Sequence, residues 1–314
     1  MKRDRSRTSS RNRFARSEWL KLALAAWLFA VSLTALSNTS SGVSSARSGA
    51  APSAPLASIV VNTTGDGDNI DASAGCDADA ATPGEQCTLR AAIQRANTAA
   101  GDDTITFNIP ATEPNCDAGT GACTINLTKA LPDLNTNVAI NGPGVDKLTV
   151  RRGSGDSYRV FTGRFPAQSL TFSGLTISAG FTTGFGGGIG VFGSSTTNIT
   201  LNVADCKISN NFANQSGGGI SVPPIAPAVS RLNISNTVFS GNIAIENGGG
   251  VFGIGDVSNS TFNNNVAGDA GGGMAGVVNI TSGVFTGNSA HSGGGAALGQ
   301  GPHRGRRRRG DAGY

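Results

Sequence analysis

Apolar residues return at fixed places through the second half of this chain. Ile177, Ile208, Phe239, Phe262 and Phe285 stand three residues before Gly180, Asn211, Asn242, Asn265 and Asn288, and triple glycines follow, beginning at 186, 217, 248, 271 and 293. Upstream of the Ile/Phe column lie Phe172, Val203, Ile234, Val257 and Ile280, preceded by Leu170, Leu201, Leu232, Gly255 and Val278. After the glycines come Ile189, Ile220, Val251, Met274 and Ala296. Alternation over such short runs, punctuated by Asn and Gly, predicts short strands joined by tight corners. A single unit cannot bury its own apolar side chains. Stacking puts each one on its equivalent in the next unit and makes a continuous core.

The period selects the architecture. Successive Ile/Phe positions are 31, 31, 23 and 23 residues apart. That is too short for a propeller blade, and the Leu-rich signature of a leucine-rich repeat is absent. A coil of three short strands fits 23 residues, so the expectation is an all-β parallel β-helix over 111–300. Asn and Gly suit its corners because both tolerate left-handed backbone. Asn side chains one coil apart can hydrogen-bond as a ladder, and this structural role is assigned to Asn211, Asn242, Asn265 and Asn288. The eight extra residues of the longer coils fall at one corner, in insertions that contain GSSTTN at 193–198 and PPIAPA at 223–228. Two neighbouring loops there are either tolerated surface excursions or a binding rim.

Residues 58–110 break the pattern and read as an N-terminal cap. Ser58 to Thr63 and Asp103 to Ile109 alternate as strands. Between them, Thr88 to Ala99 places Leu89, Ala92, Ile93 and Ala96 on one helical face. A short amphipathic helix is a sensible lid over the open end of a strand stack.

The segment CTLRAAIQRAN at 87–97 resembles the CSLREA-type motif of large exported bacterial and archaeal proteins, with Ala91 where that motif usually has Glu. Its surroundings are similar too: IVVNTTGDGD at 59–68, DTITFNI at 103–109 and LPDLNTNVAINGPG at 131–144. The following units, with GGGI at 217–220 and FSGN at 239–242, resemble the repeats of polymorphic outer-membrane proteins. Both resemblances imply a right-handed, pectin-lyase-like β-helix that is secreted or held on the cell surface, in the cell envelope or outer membrane. Fold alone does not establish a pectate lyase activity.

Charge changes the picture of partners. The formal balance is +4, but residues 1–21 hold eight basic against two acidic residues, and 301–314 hold five against one. Between them stand 11 basic and 17 acidic residues, so the body is acidic and a nucleic-acid partner is disfavoured. The basic start precedes the apolar run Leu22 to Leu36 and the small-residue stretch Ser44-Ser45-Ala46. Residues 1–46 therefore read as an export signal, with an uncleaved anchor as the alternative, and 47–57 as a linker. Membrane contact is expected only through that signal or through a C-terminal anchor that the sequence lacks. Of five cysteines, Cys76 and Cys87 lie close together, as do Cys116 and Cys123; two local disulfides suit an oxidising compartment and leave Cys206 over. Residues 301–314 lose the repeat and become an arginine-rich tail, read as a truncated or frame-shifted end.

The chemistry-bearing residues are sparse. Asp66, Asp68, Asp71, Asp77 and Asp79 form the densest acidic run and are the candidates for a Ca²⁺ site. The EF-hand spacing fails, so a solvated acidic loop is the simpler reading. Asp205 shares its column with Asn236, Asn259 and Ser282, and no stacked carboxylate pair of the kind carbohydrate-cleaving enzymes use is visible. Arg151, Arg152, Arg159 and Arg164 precede the repeats as either solvated charges or a basic patch. His291 and His303 fit no nucleophilic triad. No catalytic residue and no organic cofactor are expected. The sequence therefore points to an adhesin-like binding or structural module that meets an extracellular polysaccharide or another cell-surface ligand. The alternative is a polysaccharide lyase or hydrolase.

Overall fold

The computed structural model describes residues 58–299, apart from 154, 165, 195 and 225–228. The export signal, linker and arginine-rich tail lie outside the described residues. Within them the chain is almost entirely β-structure, with one α-helix. All pairs between its named strands are parallel, arranged in sheets of twelve, seven and four strands.

The repeat read from sequence is the pairing register. In the twelve-stranded sheet, Leu170, Leu201, Leu232, Gly255 and Val278 pair in turn. In the seven-stranded sheet, Ile177, Ile208, Phe239, Phe262 and Phe285 do the same. Equivalent side chains therefore sit one strand spacing apart, about 4.8 Å. The rings of Phe239, Phe262 and Phe285 stack at 4.7 Å, nearly coplanar. Leu170, Leu201, Leu232, Ile177, Ile208, Phe239 and Phe262 are fully buried in one continuous core. Cys206 is buried in it as well, and the loss of water pushes its thiol pKa up to about 11.

The insertions divide the large sheet. In the longer units the strand pairs Ile189–Phe192 with Thr200–Ala204, and Ile220–Ser221 with Arg231–Ser235, are separated by the extra residues. Where the insertion is missing, the two segments fuse into the eight-residue strands Val251–Ser258 and Met274–Thr281. The sheet thus forks at Val251–Ser258, one arm running to Phe161–Arg164 and the other to Ile59–Val61.

Left-handed backbone falls at three places per unit. One is the column Gly174, Asp205, Asn236, Asn259 and Ser282. This gives the Asp205 column a conformational reason, since Asn and Asp tolerate positive φ better than most residues. The second is Ala179, Asn210, Gly241, Asn264 and Gly287, each one residue before a ladder position. Corner and ladder are therefore adjacent residues, where the sequence suggested a single Asn in both roles. The third is the first glycine of each triplet; the second glycine answers a different need. A Cβ on Gly249 would meet the carbonyls of Gly272 and Val266, so the backbones there pass too close for any side chain.

At the N-terminal end, β1 (Ile59–Val61) is the outermost strand of the large sheet and pairs with β2 (Asp103–Phe107). Helix α1 (Leu89–Thr98) packs on both. Thr88 starts it: the Thr88 Oγ1 accepts from the Ala91 N–H at 3.0 Å and donates to the Gly67 carbonyl at 2.7 Å. Leu89, Ala92, Ile93 and Ala96 are buried as the helical face required, and so are Arg90 and Ala91. Both disulfides join the neighbours in sequence, Cys76 to Cys87 and Cys116 to Cys123. None of the described helices is long and apolar enough to cross a membrane.

Candidate functional site

The acidic run does not converge. Asp66 turns inward to Arg90. Asp68 accepts from Lys129 Nζ at 2.6 Å and from Gln94 Nε2 at 2.9 Å. Asp71 accepts from the Ser73 hydroxyl and N–H, and Asp79 from the Thr82 hydroxyl and the Ala81 N–H. Asp77 accepts from the N–H groups of Asp79 and Gln86. Asp71, Asp77 and Asp79 thus order their own stretches of loop, while Asp66 and Asp68 reach α1 and the 128–130 segment. Among the described residues, no three His, Cys, Asp or Glu side chains gather as metal ligands.

The Asn ladder runs through the core beside the seven-stranded sheet. Asn211 Nδ2 donates to Asn242 Oδ1, Asn242 to Asn265 and Asn265 to Asn288, at 2.9–3.0 Å. The same Oδ1 atoms also accept the backbone N–H of the preceding ladder residue. The second Nδ2 proton goes to a carbonyl of the strand before: Ile177, Ile208, Phe239 and Phe262 in turn. Asn211, Asn242 and Asn265 are buried, so these groups meet no water. Gly180 heads the column in place of Asn because a Cβ there would meet the Gly187 carbonyl. Its N–H donates to Asn211 Oδ1 at 2.9 Å.

Two buried charges were not singled out from sequence. The first is Arg90, 2% exposed, whose guanidinium meets Asp66, 5% exposed. Arg90 Nε donates to Asp66 Oδ1 at 3.0 Å and Nη2 to Oδ2 at 2.9 Å. The remaining donors reach the carbonyls of Ala130 and Lys129, at 2.6 and 2.9 Å. Asp66 Oδ2 also accepts from the Thr128 N–H and hydroxyl. The pair therefore ties α1 and the acidic loop to the 128–130 segment.

The second is Asp103, which opens β2 in the column continued by Val138 and Leu170. It is 2% exposed, and neither carboxylate oxygen has a hydrogen-bond partner among the described residues. Burial raises its pKa; Arg95 opposes the shift and Asp102 adds to it. A raised native pKa means the folded chain holds a proton that the unfolded chain has released. Stability from this group is thus full below the unfolded value of 3.8 and is lost as pH rises through the folded value. Asp68 acts in the opposite sense, since its bond to Lys129 lowers its pKa. Asp103→Val is therefore expected to be more stable than the native chain at pH 7, by about 1–3 kcal/mol. The advantage should shrink toward pH 4. Urea unfolding at both pH values measures it; equal stability at pH 7 would contradict the burial argument.

On the outside, the arginines read as solvated charges are mostly engaged. Arg152 Nε donates to the Ala179 carbonyl at 3.0 Å, and its guanidinium lies 5.7 Å from the Phe181 ring centre. Arg159 and Arg164 share the ring of Phe192, at 5.0 and 5.4 Å. Arg151 and Arg164 are exposed. The repeat-region acids stand apart: Asp205 is exposed at its corner, Glu246 accepts from the Ser216 hydroxyl, and Asp256 accepts from Asn279 Nδ2 at 2.8 Å.

Asp256 belongs to an outward column of the large sheet. Thr171, Asn202, Asn233, Asp256 and Asn279 lie in register on consecutive units. Asn233 Nδ2 donates to Asn202 Oδ1 at 2.9 Å, and Asn202 Nδ2 to Thr171 Oγ1 at 3.4 Å. This second ladder faces water: Asn233, Asp256 and Asn279 are exposed. No protein-family model, curated protein or solved structure matches the chain.

Proposed function

We propose that the chain forms a right-handed parallel β-helix with α1 over its N-terminal end, and that it serves as an exported binding or structural module at the cell surface, in the manner of an adhesin. The outward ladder of Thr171, Asn202, Asn233, Asp256 and Asn279 carries this reading. It is a straight row of oriented amide, hydroxyl and carboxylate groups about 4.8 Å apart. Such a row offers hydrogen bonds to an extended, polar ligand along its length, where a small-molecule site would be a concave and mostly apolar pocket. An extracellular polysaccharide is the ligand class that fits. The two disulfides support an oxidising compartment, and the CTLRAAIQRAN segment supports kinship with CSLREA-type exported proteins.

The purified chain should bind neutral and acidic extracellular polysaccharides in a solid-phase assay. An Asn233→Ala, Asp256→Ala double variant should bind about tenfold less, the loss of one to two net hydrogen bonds, with an unchanged melting temperature. Incubation with polyuronates, with and without Ca²⁺, tests the lyase or hydrolase reading. Cleavage by the purified chain, or failure to bind any polysaccharide or cell surface, would overturn the binding reading.

A further inference from the structure

The arm of the large sheet that ends at Phe161–Arg164 carries a charge with no counterpart. Arg159 is half-buried, yet no carboxylate among the described residues lies within salt-bridge distance of it. Asp133, the nearest acid that acts on it, is already paired with Arg164 Nε at 2.5 Å. The Arg159 guanidinium is nevertheless fixed in place. Its Nε donates to the carbonyls of Phe185 and Gly186 at 3.1 and 3.3 Å, and its Nη2 to Thr182 Oγ1 at 3.3 Å. The ring of Phe192 lies 5.0 Å from it. The chain passes over Gly190, where a Cβ would come within 2.8 Å of Nε, so the absence of a side chain at 190 makes the seat. Nη1 has no partner among the described residues.

A second, independent feature lies one unit further along. Ser221 pairs in register with Gly190. It is 0% exposed, and its hydroxyl has no hydrogen-bond partner among the described residues. Ile189 and Val191 point into the core, so Gly190 and Ser221 belong to the opposite face, where Arg159 lies. A rigid guanidinium and an unused hydroxyl donor therefore share one face of adjacent strands. Arg164 adds a second cation over the same ring. Burial, with the like charge of Arg164, lowers the Arg159 pKa, and Asp133 opposes the shift.

We propose that Arg159 and Arg164 form a site for an oxyanion of an acidic polysaccharide, a uronate carboxylate or a sulfate ester, with Phe192 as its floor; Ser221, which no solvent reaches, backs the site from the next strand without touching the ligand. With Nε and Nη2 engaged, Nη1 is the donor left for such a group, and its fixed position means little ordering is needed on binding. The patch stands on an acidic body, 10 basic against 17 acidic residues over 58–299, so its positive charge is local. This inference rests on the extracellular polysaccharide reading above and adds a site on the other arm of the sheet.

The full chain would be titrated with polygalacturonate, dextran sulfate, neutral dextran and a single-stranded DNA oligonucleotide at 0.15 M salt. Three variants accompany it: Arg164→Gln, which is exposed and leaves the core untouched; Arg159→Lys, which keeps the charge and loses the fork; and Ser221→Ala. The native chain should bind one of the two acidic polysaccharides, and which one identifies the group. Arg159→Lys and Arg164→Gln should each weaken that binding about tenfold, while Ser221→Ala, at a buried neighbour, should leave it unchanged. All three should leave neutral dextran unaffected; Arg164→Gln should melt as the native chain does, Ser221→Ala, which removes an unpaired buried hydroxyl, no lower, and Arg159→Lys, which gives up the bonds to the Phe185 and Gly186 carbonyls, somewhat lower. Equal affinity of Arg164→Gln for the acidic polysaccharide would overturn the site. So would no preference for acidic over neutral polymer, a result that leaves the ladder reading standing. DNA binding as tight as polysaccharide binding, and lost in the same variants, would overturn the assignment to a polysaccharide.

Discussion

Arg90→Met is expected to lower the stability of the folded chain by about 3–5 kcal/mol, because it strands a buried carboxylate without its cation. Asp66, 5% exposed, would keep the Thr128 N–H and hydroxyl but lose both guanidinium bonds. The carbonyls of Ala130 and Lys129 would lose their donors as well. The loss should concentrate at the N-terminal end, where the pair joins α1 to the acidic loop. Amide exchange of α1 and β1 should therefore accelerate before that of the strands around Asn242. The double variant Arg90→Met, Asp66→Leu should recover part of the loss, since removing both charges is less costly than leaving one. Chemical unfolding of the native chain, both single variants and the double variant measures this. A single variant as stable as the native chain would show that water reaches the pair.

Asn242→Leu carries the second large effect. The substitution preserves bulk and deletes four hydrogen bonds from the middle of the ladder. The Asn211 N–H would be left without its partner in the interior, and the Ile208 carbonyl would lose its side-chain donor. Asn211 Nδ2 would keep only the Ile177 carbonyl, and Asn265 Oδ1 only the backbone N–H of residue 242. The orphaned N–H costs about 1–3 kcal/mol and each of the other three lost bonds about 0.5–1.5 kcal/mol, part of it recovered by local relaxation, so a total near 4 kcal/mol is expected. Asn242→Asp keeps the acceptor that serves Asn211 but removes the donor, and places a carboxylate against Asn265 Oδ1 and the Ile208 carbonyl. It should be at least as damaging at pH 7 and milder at pH 4, where the protonated acid donates once. Thermal and urea unfolding at the two pH values test the pair. Asn288→Leu is the internal control: Asn288 is only partly buried, so its loss should be clearly smaller.

The repeat was legible because stacking makes each column answer to one environment. Leu170, Leu201 and Leu232 share a register, and so do the phenylalanines, so a pattern in the sequence is a pattern of contacts. Both disulfides were legible for a related reason, since each closes a short local loop. Arg90 was not. It stands within the apolar face of α1, and only the fold reveals that Asp66 and the carbonyls of Lys129 and Ala130 converge on it from 24 and about 40 positions away. Asp103 was hidden likewise: it opens an alternating strand, and its place in an inward column appears only when β2 is set beside Val138. Arg159 read as a solvated charge because its seat, Gly190, comes from a strand about thirty residues later. Local periodicity reports the core; long-range polar pairings leave no periodic trace.

The fork in the large sheet has a consequence for how such a chain diversifies. Eight residues enter or leave at a single corner, yet the pairing of Ile220 with Val251 and of Ile234 with Val257 spans the change without a slip. Lengthening a surface loop costs little, about 0.6 kcal/mol for each doubling, whereas a one-residue slip in a strand would invert its faces. Variation is thus channelled to the outside of one corner while the interior stays fixed. New loops could be grafted there, by evolution or at the bench, as exchangeable parts on a constant frame.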